Sequence, residues 1–402
     1  MSSEAKNTIL VTGATGFLGK VVVEELLRLR EKHAINQVIL LLRKKDPLDA
    51  QARFERHVAP SPSSRNCGLQ DCQYKRVCQT ITHIIHTAAC IKFDSTVPEA
   101  ISSNIDSSYH ILALAKNCGN LQQLVITSTA YVTPPQQGPI YESLVDLPSP
   151  ASQIVSELRS GVLGKEEAIA ATGHPNIYSL SKCLAEHLIC ETRGSLPITI
   201  VRPSIICAAI QNPSPGWIDS RAAFGGLVLG FGTGSLRVID GRPETKLDIV
   251  PVDLVANCLI YETFRRDIRS LDQRNVRIVF CVATMEKSLT LRDACKMLEL
   301  FFDGRFRYIG PQGPILDLYQ LFHHYIPSRV YATISRIKGN ERGERQAKKT
   351  WKVIRGMNTV FKPYTNHTHD FRPEGPSFDF DPAKYMHVIC QGVHTNLMHS
   401  KL

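Results

Sequence analysis

The chain has 402 residues, 43% of them hydrophobic and 21% charged, and a net charge of +10. This composition excludes a fibrous or disordered protein, and the absence of a long apolar window or an apolar leader argues against a transmembrane helix or a signal peptide. The twelve cysteines show no metal-ligand spacing, so we expect reduced thiols and no metal. The positive charge suits a polyanionic small molecule, and without a nucleic-acid-binding motif we expect no nucleic acid partner.

Apolar runs alternate with helical stretches over most of the chain. Nearly continuous apolar runs are typical of parallel strands that are buried on both faces. This alternation predicts an α/β fold with a doubly wound parallel sheet and right-handed crossovers. The predicted strands are Thr8–Thr12, Val38–Leu42, His83–His86, Leu124–Thr127, Ile198–Arg202 and Val276–Val282, and the early predicted helices are Phe17–Arg30, Asp49–Val58 and Gln70–Ile81.

The strand pattern stops near residue 304. Apolar residues then recur at helical spacing from Ile315 to Ile326, and Pro327 is expected to end that helix. A basic stretch, 329–355, contains nine Lys or Arg against two Glu, and Phe361–Pro382 is expected to be irregular. We therefore predict a Rossmann-type domain over residues 1–303 and a smaller, mostly helical domain over residues 304–402.

A glycine motif with the spacing G-x-x-G-x-x-G follows the first predicted strand and begins the first helix. Gly13 would permit a tight turn, Gly16 would let a pyrophosphate approach the backbone, and Gly19 would let the helix pack closely. Glycines also occur in ordinary turns, but this position between strand and helix favours dinucleotide binding. The predicted cofactor-binding residues of this segment are Thr12, Gly13, Thr15, Gly16, Phe17, Leu18 and Gly19.

The second predicted strand ends in the basic residues Arg43, Lys44 and Lys45. A carboxylate at this position would bind the ribose hydroxyls of NAD, whereas a guanidinium can bind the 2′-phosphate of NADP. Arg43 therefore favours NADPH as the cofactor. The alternative is a solvated basic loop without a ligand.

Tyr178 and Lys182 lie four residues apart, on one face of a predicted helix. The ammonium would stabilise the phenolate and lower the pKa of the tyrosine, which suits general acid catalysis. Thr129 and Ser128 follow the fourth predicted strand, where a hydroxyl can bond a carbonyl oxygen that gains negative charge. These four residues are the predicted catalytic group, and local capping is the alternative role for the two hydroxyls.

Together these motifs resemble the extended short-chain dehydrogenases, and among them the fatty acyl-CoA reductases. The resemblance extends from residue 8 to about residue 260 and includes His86–Ala89, Lys92–Asp94, Val201–Ser204, Pro215–Asp219 and Leu247–Asp253. It implies that two NADPH reduce a long-chain fatty acyl-CoA to a primary alcohol, with release of coenzyme A. Further cofactor contacts are expected at Thr87, Ala88, Asn104, Lys182, Arg202 and Pro203, although Asn104 suits a structural role equally well.

The chain differs from the family between its second and third predicted strands. Only 40 residues separate Leu42 from His83, where the family has a further strand with an acidic residue that contacts the adenine. Without that strand, Val38–Leu42 would lie at the edge of the sheet, and NADPH binding would be weaker. The C-terminal domain is also shorter than the family's.

Two alternatives remain for the function: another extended dehydrogenase acting on steroids or sugar nucleotides, or a non-catalytic NADP-binding protein. The chain ends in Ser400, Lys401 and Leu402, the tripeptide read by the peroxisomal import receptor, so we expect a peroxisomal location. The basic stretch could contact coenzyme A phosphates or an anionic membrane surface. A solvated face is the more common role of such a stretch.

Overall fold

The computed structural model describes residues 6–42, 69–265, 276–304, 307–309, 318, 321–375 and 378–398. For residues 307–309, 323 and 346–355 it describes the backbone alone. Several sequence predictions fall outside the described residues: the helix Asp49–Val58, the cofactor contact of Arg43 and the targeting tripeptide, residues 400–402.

The elements of the described residues are named in chain order. The strands are β1 (Asn7–Thr12), β2 (Ile35–Leu41), β3 (His83–His86), β4 (Gln123–Thr127), β5 (Pro139–Ile140), β6 (Ile198–Pro203), β7 (Ile205–Cys207), β8 (Val238–Asp240), β9 (Lys246–Leu247), β10 (Ile249–Pro251), β11 (Arg277–Cys281), β12 (Leu289–Thr290), β13 (Arg307–Ile309) and β14 (Asp370–Phe371). The α-helices are α1 (Phe17–Arg28), α2 (Asp71–Thr80), α3 (Val97–Ala100), α4 (Ser107–Lys116), α5 (Ala151–Ser160), α6 (Lys165–Thr172), α7 (Ile177–Thr192), α8 (Ala223–Gly232), α9 (Val252–Phe264), α10 (Thr284–Lys287), α11 (Leu291–Phe302), α12 (Ile326–Ile337), α13 (Glu341–Thr365) and α14 (Pro382–Val393).

The largest sheet among the described residues is parallel and has the strand order β11-β6-β4-β3-β1-β2. Every residue of β3, β4 and β6 is buried, as their continuous apolar sequences predict. The doubly wound fold is therefore confirmed, and each predicted strand is present. Because the strands are parallel, their carboxyl ends lie at one edge of the sheet, where such folds bind ligands.

Strand β2 is the outermost strand of this sheet within the described residues, where it pairs with β1. The predicted absence of a further strand concerns residues 43–68, which lie outside the described part of the chain. That prediction therefore stays open. The helix predicted after this segment is confirmed as α2, which begins with a capping box between Gln70 and Gln73.

The chain divides into two compact units, each made of several segments. The first comprises residues 1–204, 250–282 and 371–377, and the second comprises residues 205–249, 283–370 and 378–402. The predicted domain boundary after residue 303 is a single cut along the chain, and the compact units do not follow it. The predicted domain division remains a prediction.

The C-terminal region is helical, as predicted, with two local differences. Pro327 does not end a helix: it lies in the first turn of α12, where a proline lacks no required hydrogen bond. Phe361 to Thr365, expected to be irregular, instead form the last turns of α13. No helix in the described ranges is both long and apolar enough to cross a bilayer.

Candidate active site

The loop between β1 and α1 turns sharply at Gly13. This residue has a φ of +68°, and a Cβ there would lie 2.6 Å from the backbone nitrogen of Ala88 and 2.7 Å from the carbonyl carbon of Thr87. Any side chain would therefore strain the backbone and collide with the segment that follows β3. The tight turn predicted at Gly13 is present.

The other two glycines of the motif shape the start of α1. A Cβ at Gly19 would lie 2.0 Å from the carbonyl oxygen of Gly13, so the helix packs directly on the loop. Gly16 is exposed and precedes α1 without a side-chain cap on the helix N–H groups. Thr15, Phe17 and Leu18 are half-buried around it. An exposed, uncapped helix N-terminus beside a glycine turn fits a dinucleotide diphosphate.

The ends of β1 and β3 are joined through Thr12. Its buried hydroxyl lies 2.8 Å from Nδ1 of His86, and its carbonyl accepts a hydrogen bond of 2.8 Å from the Thr87 hydroxyl. Burial lowers the pKa of His86 to about 3, with a smaller effect from Lys182, so the imidazole is neutral. The Thr12 side chain thus bonds within the protein, and the half-buried Thr87 and the buried Ala88 line the carboxyl end of β3.

Asn104 is placed as a structural residue. Its buried amide accepts a hydrogen bond from the backbone nitrogen of Cys90 at 2.8 Å and donates to the carbonyl oxygen of Cys90 at 3.1 Å. It also donates to the Ser181 hydroxyl at 2.8 Å. Because the amide is used to hold the loop after β3 against α7, the geometry favours the structural role over the predicted cofactor contact.

Arg202 is not brought to the predicted cofactor site. The side chain is fully buried, and it donates two hydrogen bonds to the carboxylate of Glu186, one of 3.0 Å and one of 2.5 Å. A third hydrogen bond of 2.8 Å reaches the carbonyl oxygen of Ser143. All three guanidinium nitrogens therefore have protein partners, so this side chain is held within the protein. Pro203 is buried and ends β6 at the carboxyl edge of the sheet.

Helix α7 carries Tyr178 and Lys182 one turn apart, and its N-terminus is capped by the Asn176 side chain, which accepts from the backbone nitrogen of Ser179 at 2.9 Å. The buried Nζ of Lys182 donates a hydrogen bond of 2.8 Å to the carbonyl oxygen of Thr127, the last residue of β4. Burial lowers the pKa of Lys182 to about 8, and the Glu186 carboxylate partly offsets this effect. The ammonium therefore ties α7 to the strand end that carries Ser128 and Thr129.

The two predicted hydroxyls follow β4 directly. Thr129 caps the short 3-10 helix Ala130–Val132, and its hydroxyl accepts from the backbone nitrogen of Tyr131 at 3.3 Å. The Ser128 hydroxyl is buried and has no hydrogen-bond partner among the described residues. A buried hydroxyl without a partner is costly unless a ligand satisfies it. Ser128 is therefore as suitable as Thr129 to donate a hydrogen bond to a substrate oxygen.

Two residues of this region were not predicted as part of the site. The ring of Phe93 contacts half-buried Tyr178 edge to face, with 5.6 Å between the centroids. Glu186 lies one turn beyond Lys182 on α7 and binds Arg202. The spacing of Tyr178, Lys182 and Glu186 puts all three on one helix face, so helical periodicity could have indicated the glutamate.

Comparisons with known proteins bear on the fold and the family of the chain. The family model described as male sterility protein matches residues 11–64 and 58–259. The two matched segments overlap between the second and third predicted strands, where the sequence was expected to lack a strand. The reductase (R) domain of a nonribosomal peptide synthetase from Mycobacterium tuberculosis is similar in structure, with a TM-score of 0.65 and 17% identity over 98% of this chain and 92% of that chain. At this identity the likeness shows the fold alone.

Sequence relatives identify the family. Fatty acyl-CoA reductase wat of Drosophila melanogaster is 31% identical over 277 residues, which are 63% of this chain and 53% of that protein. Fatty acyl-CoA reductase 1 of Gallus gallus is 30% identical over an alignment of 463 positions, which covers 99% of this chain and 86% of that protein. The chain spans little more than half the length of several such relatives. On the family model and these relatives together, the chain belongs to the fatty acyl-CoA reductase family.

Proposed function

We propose that this protein uses NADPH to reduce a long-chain fatty acyl-CoA to a primary fatty alcohol and releases coenzyme A. The observation that carries the proposal is the junction of α7 and β4. There the hydrogen bond from Lys182 to Thr127 holds the tyrosine helix beside the strand end that bears Ser128 and Thr129. A proton donor and hydroxyl donors at the carboxyl edge of a dinucleotide-binding sheet suit the reduction of a carbonyl group.

Each residue has a distinct role in the proposed reaction. Bound NADPH would supply the hydride. Thr129 and Ser128 donate hydrogen bonds to the thioester oxygen as it gains negative charge. The oxyanion then re-forms a carbonyl group as the carbon–sulfur bond breaks, and coenzyme A leaves as the thiolate, which takes a proton from solvent. An aldehyde remains. For the second reduction, a second NADPH in place of the spent NADP⁺ would supply the hydride, Tyr178 donates its proton to the aldehyde oxygen, and the alcohol forms.

Lys182 has two roles in this proposal. Its positive charge stabilises the phenolate that Tyr178 becomes after proton transfer. It also binds the nicotinamide ribose, since an ammonium has three donors and the Thr127 carbonyl uses one of them. NADPH rather than NADH is proposed because Arg43 offers a guanidinium to the 2′-phosphate.

The test is an assay of the purified full chain with a panel of acyl-CoAs, with NADPH oxidation followed optically and products identified by gas chromatography. We expect fatty alcohol. NADPH binding without product from any acyl-CoA would favour a non-catalytic protein, and oxidation of a sterol or a sugar nucleotide would favour the other dehydrogenases.

Cofactor choice and location have separate tests. Arg43→Ala should narrow the preference for NADPH over NADH, whereas Arg76→Ala, on the exposed face of α2, should not. Equal efficiency of the unchanged protein with both cofactors would contradict the proposal. A peroxisomal location is proposed from the terminal tripeptide, and a fluorescent fusion with a free C-terminus should colocalise with a peroxisomal marker until residues 400–402 are deleted.

A further inference from the structure

Helix α12 in the second unit is turned so that its large apolar residues face solvent. Val330, Ile334 and Ile337 are 51%, 45% and 79% exposed. Ile326, one turn before Val330, is also exposed. The spacing of these four residues puts them on one side of the helix. Single exposed apolar residues are common, but a contiguous row of them in contact with solvent indicates a binding surface.

The opposite side of α12 explains this orientation. The helix buries only small side chains among its described residues, Ala332 and Ser335. A Cβ at Gly343 of α13 would lie 2.7 Å from the Ser335 hydroxyl oxygen, so the buried Ser335 side chain packs against the backbone of α13. Asn340 caps α13 and fixes the turn between the helices. Because the small face is used for packing, the large apolar face is left outward.

Basic residues flank the apolar face. Arg329 and Arg336 are seven residues apart and lie along one flank, and Lys338 follows at the C-terminal end of the helix; all three are exposed. No acidic residue occurs within α12. An exposed apolar row with cations along its margin is the pattern of a helix that lies in the plane of a membrane surface. The charge is complementary to anionic lipid headgroups.

We infer that α12 is a membrane-surface helix, which inserts Ile326, Val330, Ile334 and Ile337 among the headgroups of an anionic lipid leaflet. Leu321 and Phe322, in the segment just before α12, are also exposed apolar residues. The inference does not depend on the proposed reaction. It requires no membrane-spanning helix, since binding in the interface uses one helix face.

The test uses the purified full chain and two kinds of vesicle, phosphatidylcholine alone and phosphatidylcholine mixed equally with phosphatidylserine. We expect the protein to float with the mixed vesicles and much less with the neutral ones. The double variant Val330→Ser/Ile337→Ser should reduce the partition coefficient at least about tenfold, because two exposed apolar side chains no longer leave water. A matched control is Val162→Ser/Leu300→Ser, which changes two apolar residues elsewhere that are even more exposed, 76% and 85%. This control variant should bind like the unchanged protein.

Charge is tested in the same assay. Arg329→Gln/Arg336→Gln should weaken binding to the mixed vesicles on the order of tenfold or more. Lys75→Gln/Arg76→Gln, which removes two exposed charges from α2, should have little effect. No binding to the mixed vesicles, equal binding to both kinds, or unchanged binding by the α12 variants overturns the inference. Light scattering tests a second copy of the chain as the occupant of this face. If the unchanged protein is a dimer and Val330→Ser/Ile337→Ser is a monomer, a second copy covers the face and the membrane inference is overturned.

Discussion

The charge of Lys182 should make the protein less stable while it supports catalysis. Burial lowers the pKa of this side chain from 10.5 to about 8. Each pKa unit corresponds to about 1.36 kcal/mol, so the charged form costs the folded state about 3 kcal/mol. Lys182→Met removes this cost and also a hydrogen bond to Thr127 worth about 1 kcal/mol. The variant should therefore be more stable at neutral pH by about 2 kcal/mol and should have little or no turnover.

The dependence on pH separates this explanation from ordinary repacking. Below pH 8 the lysine is charged in both the folded and the unfolded chain, so the full cost is present. Between about pH 8 and pH 10.5, Lys182 loses its proton in the folded protein but keeps it in the unfolded chain. Because the unfolded chain then binds more protons, the stability of the unchanged protein rises with pH. The advantage of Lys182→Met should then shrink, on the order of 1 kcal/mol between neutral pH and pH about 9.

Melting temperatures of the two proteins over this pH range provide the measurement. A difference of this size corresponds to a few degrees in a chain of this length. Lys116→Met is the matched control, since it removes an exposed ammonium that also bonds a backbone carbonyl, that of Thr192. A difference in melting temperature between Lys182→Met and the unchanged protein that stays the same at every pH would refute the reasoning, because the buried charge would then carry no cost.

Three other predictions follow from the site. Tyr178→Phe should lower kcat on the order of a hundredfold or more while NADPH still binds. The control Tyr261→Phe, which changes an exposed tyrosine, should leave kcat unchanged. Normal turnover by the Tyr178 variant would exclude Tyr178 as the general acid. Arg202→Ala should cost about 3–5 kcal/mol in denaturant unfolding because it leaves the Glu186 carboxylate buried without its partner, and NADPH affinity of the folded fraction should stay unchanged; a selective loss of affinity would restore the predicted cofactor contact. Gly13→Ala should weaken NADPH binding and lower the melting temperature, since its Cβ would meet the backbone after β3; a variant with normal binding would show that the loop is not the cofactor cradle.

The sheet could be predicted from the sequence because continuous apolar runs have few other uses. His83–His86 matches β3 in both bounds, and Ile198–Arg202 differs from β6 by one residue. The glycine turn was equally readable, since the positive φ of Gly13 and the close contact of Gly19 follow from the motif. In these places local sequence and long-range packing favour the same structure.

The predictions were weaker where a polar side chain has two possible uses. Arg202 was expected to contact a cofactor, and Asn104 either to contact a cofactor or to have a structural role; the side chains of both bond within the protein. Nothing in the local sequence shows that Glu186, sixteen residues earlier, reaches Arg202. Pro327 was read as a helix end, although the same residue is compatible with a helix start. For the two polar side chains, the hydrogen-bond partner lies far along the chain. For the proline, the helix lies on its C-terminal side rather than its N-terminal side.

The first unit is completed by a segment from near the end of the chain. Phe371 is fully buried, with its ring 5.6 Å from that of Tyr131 and 5.3 Å from that of Phe280, and the backbone nitrogen of Arg372 donates to the carbonyl oxygen of Ile140 at 2.8 Å. During synthesis on the ribosome, the first unit therefore cannot complete its packing when β11, the last strand of its parallel sheet, emerges. It needs residues that follow β11 by about ninety positions. A fragment that stops near residue 303 would leave an aromatic cavity open to water. A nonsense mutation well beyond Tyr178, the proposed proton donor, would therefore still compromise the unit that holds it.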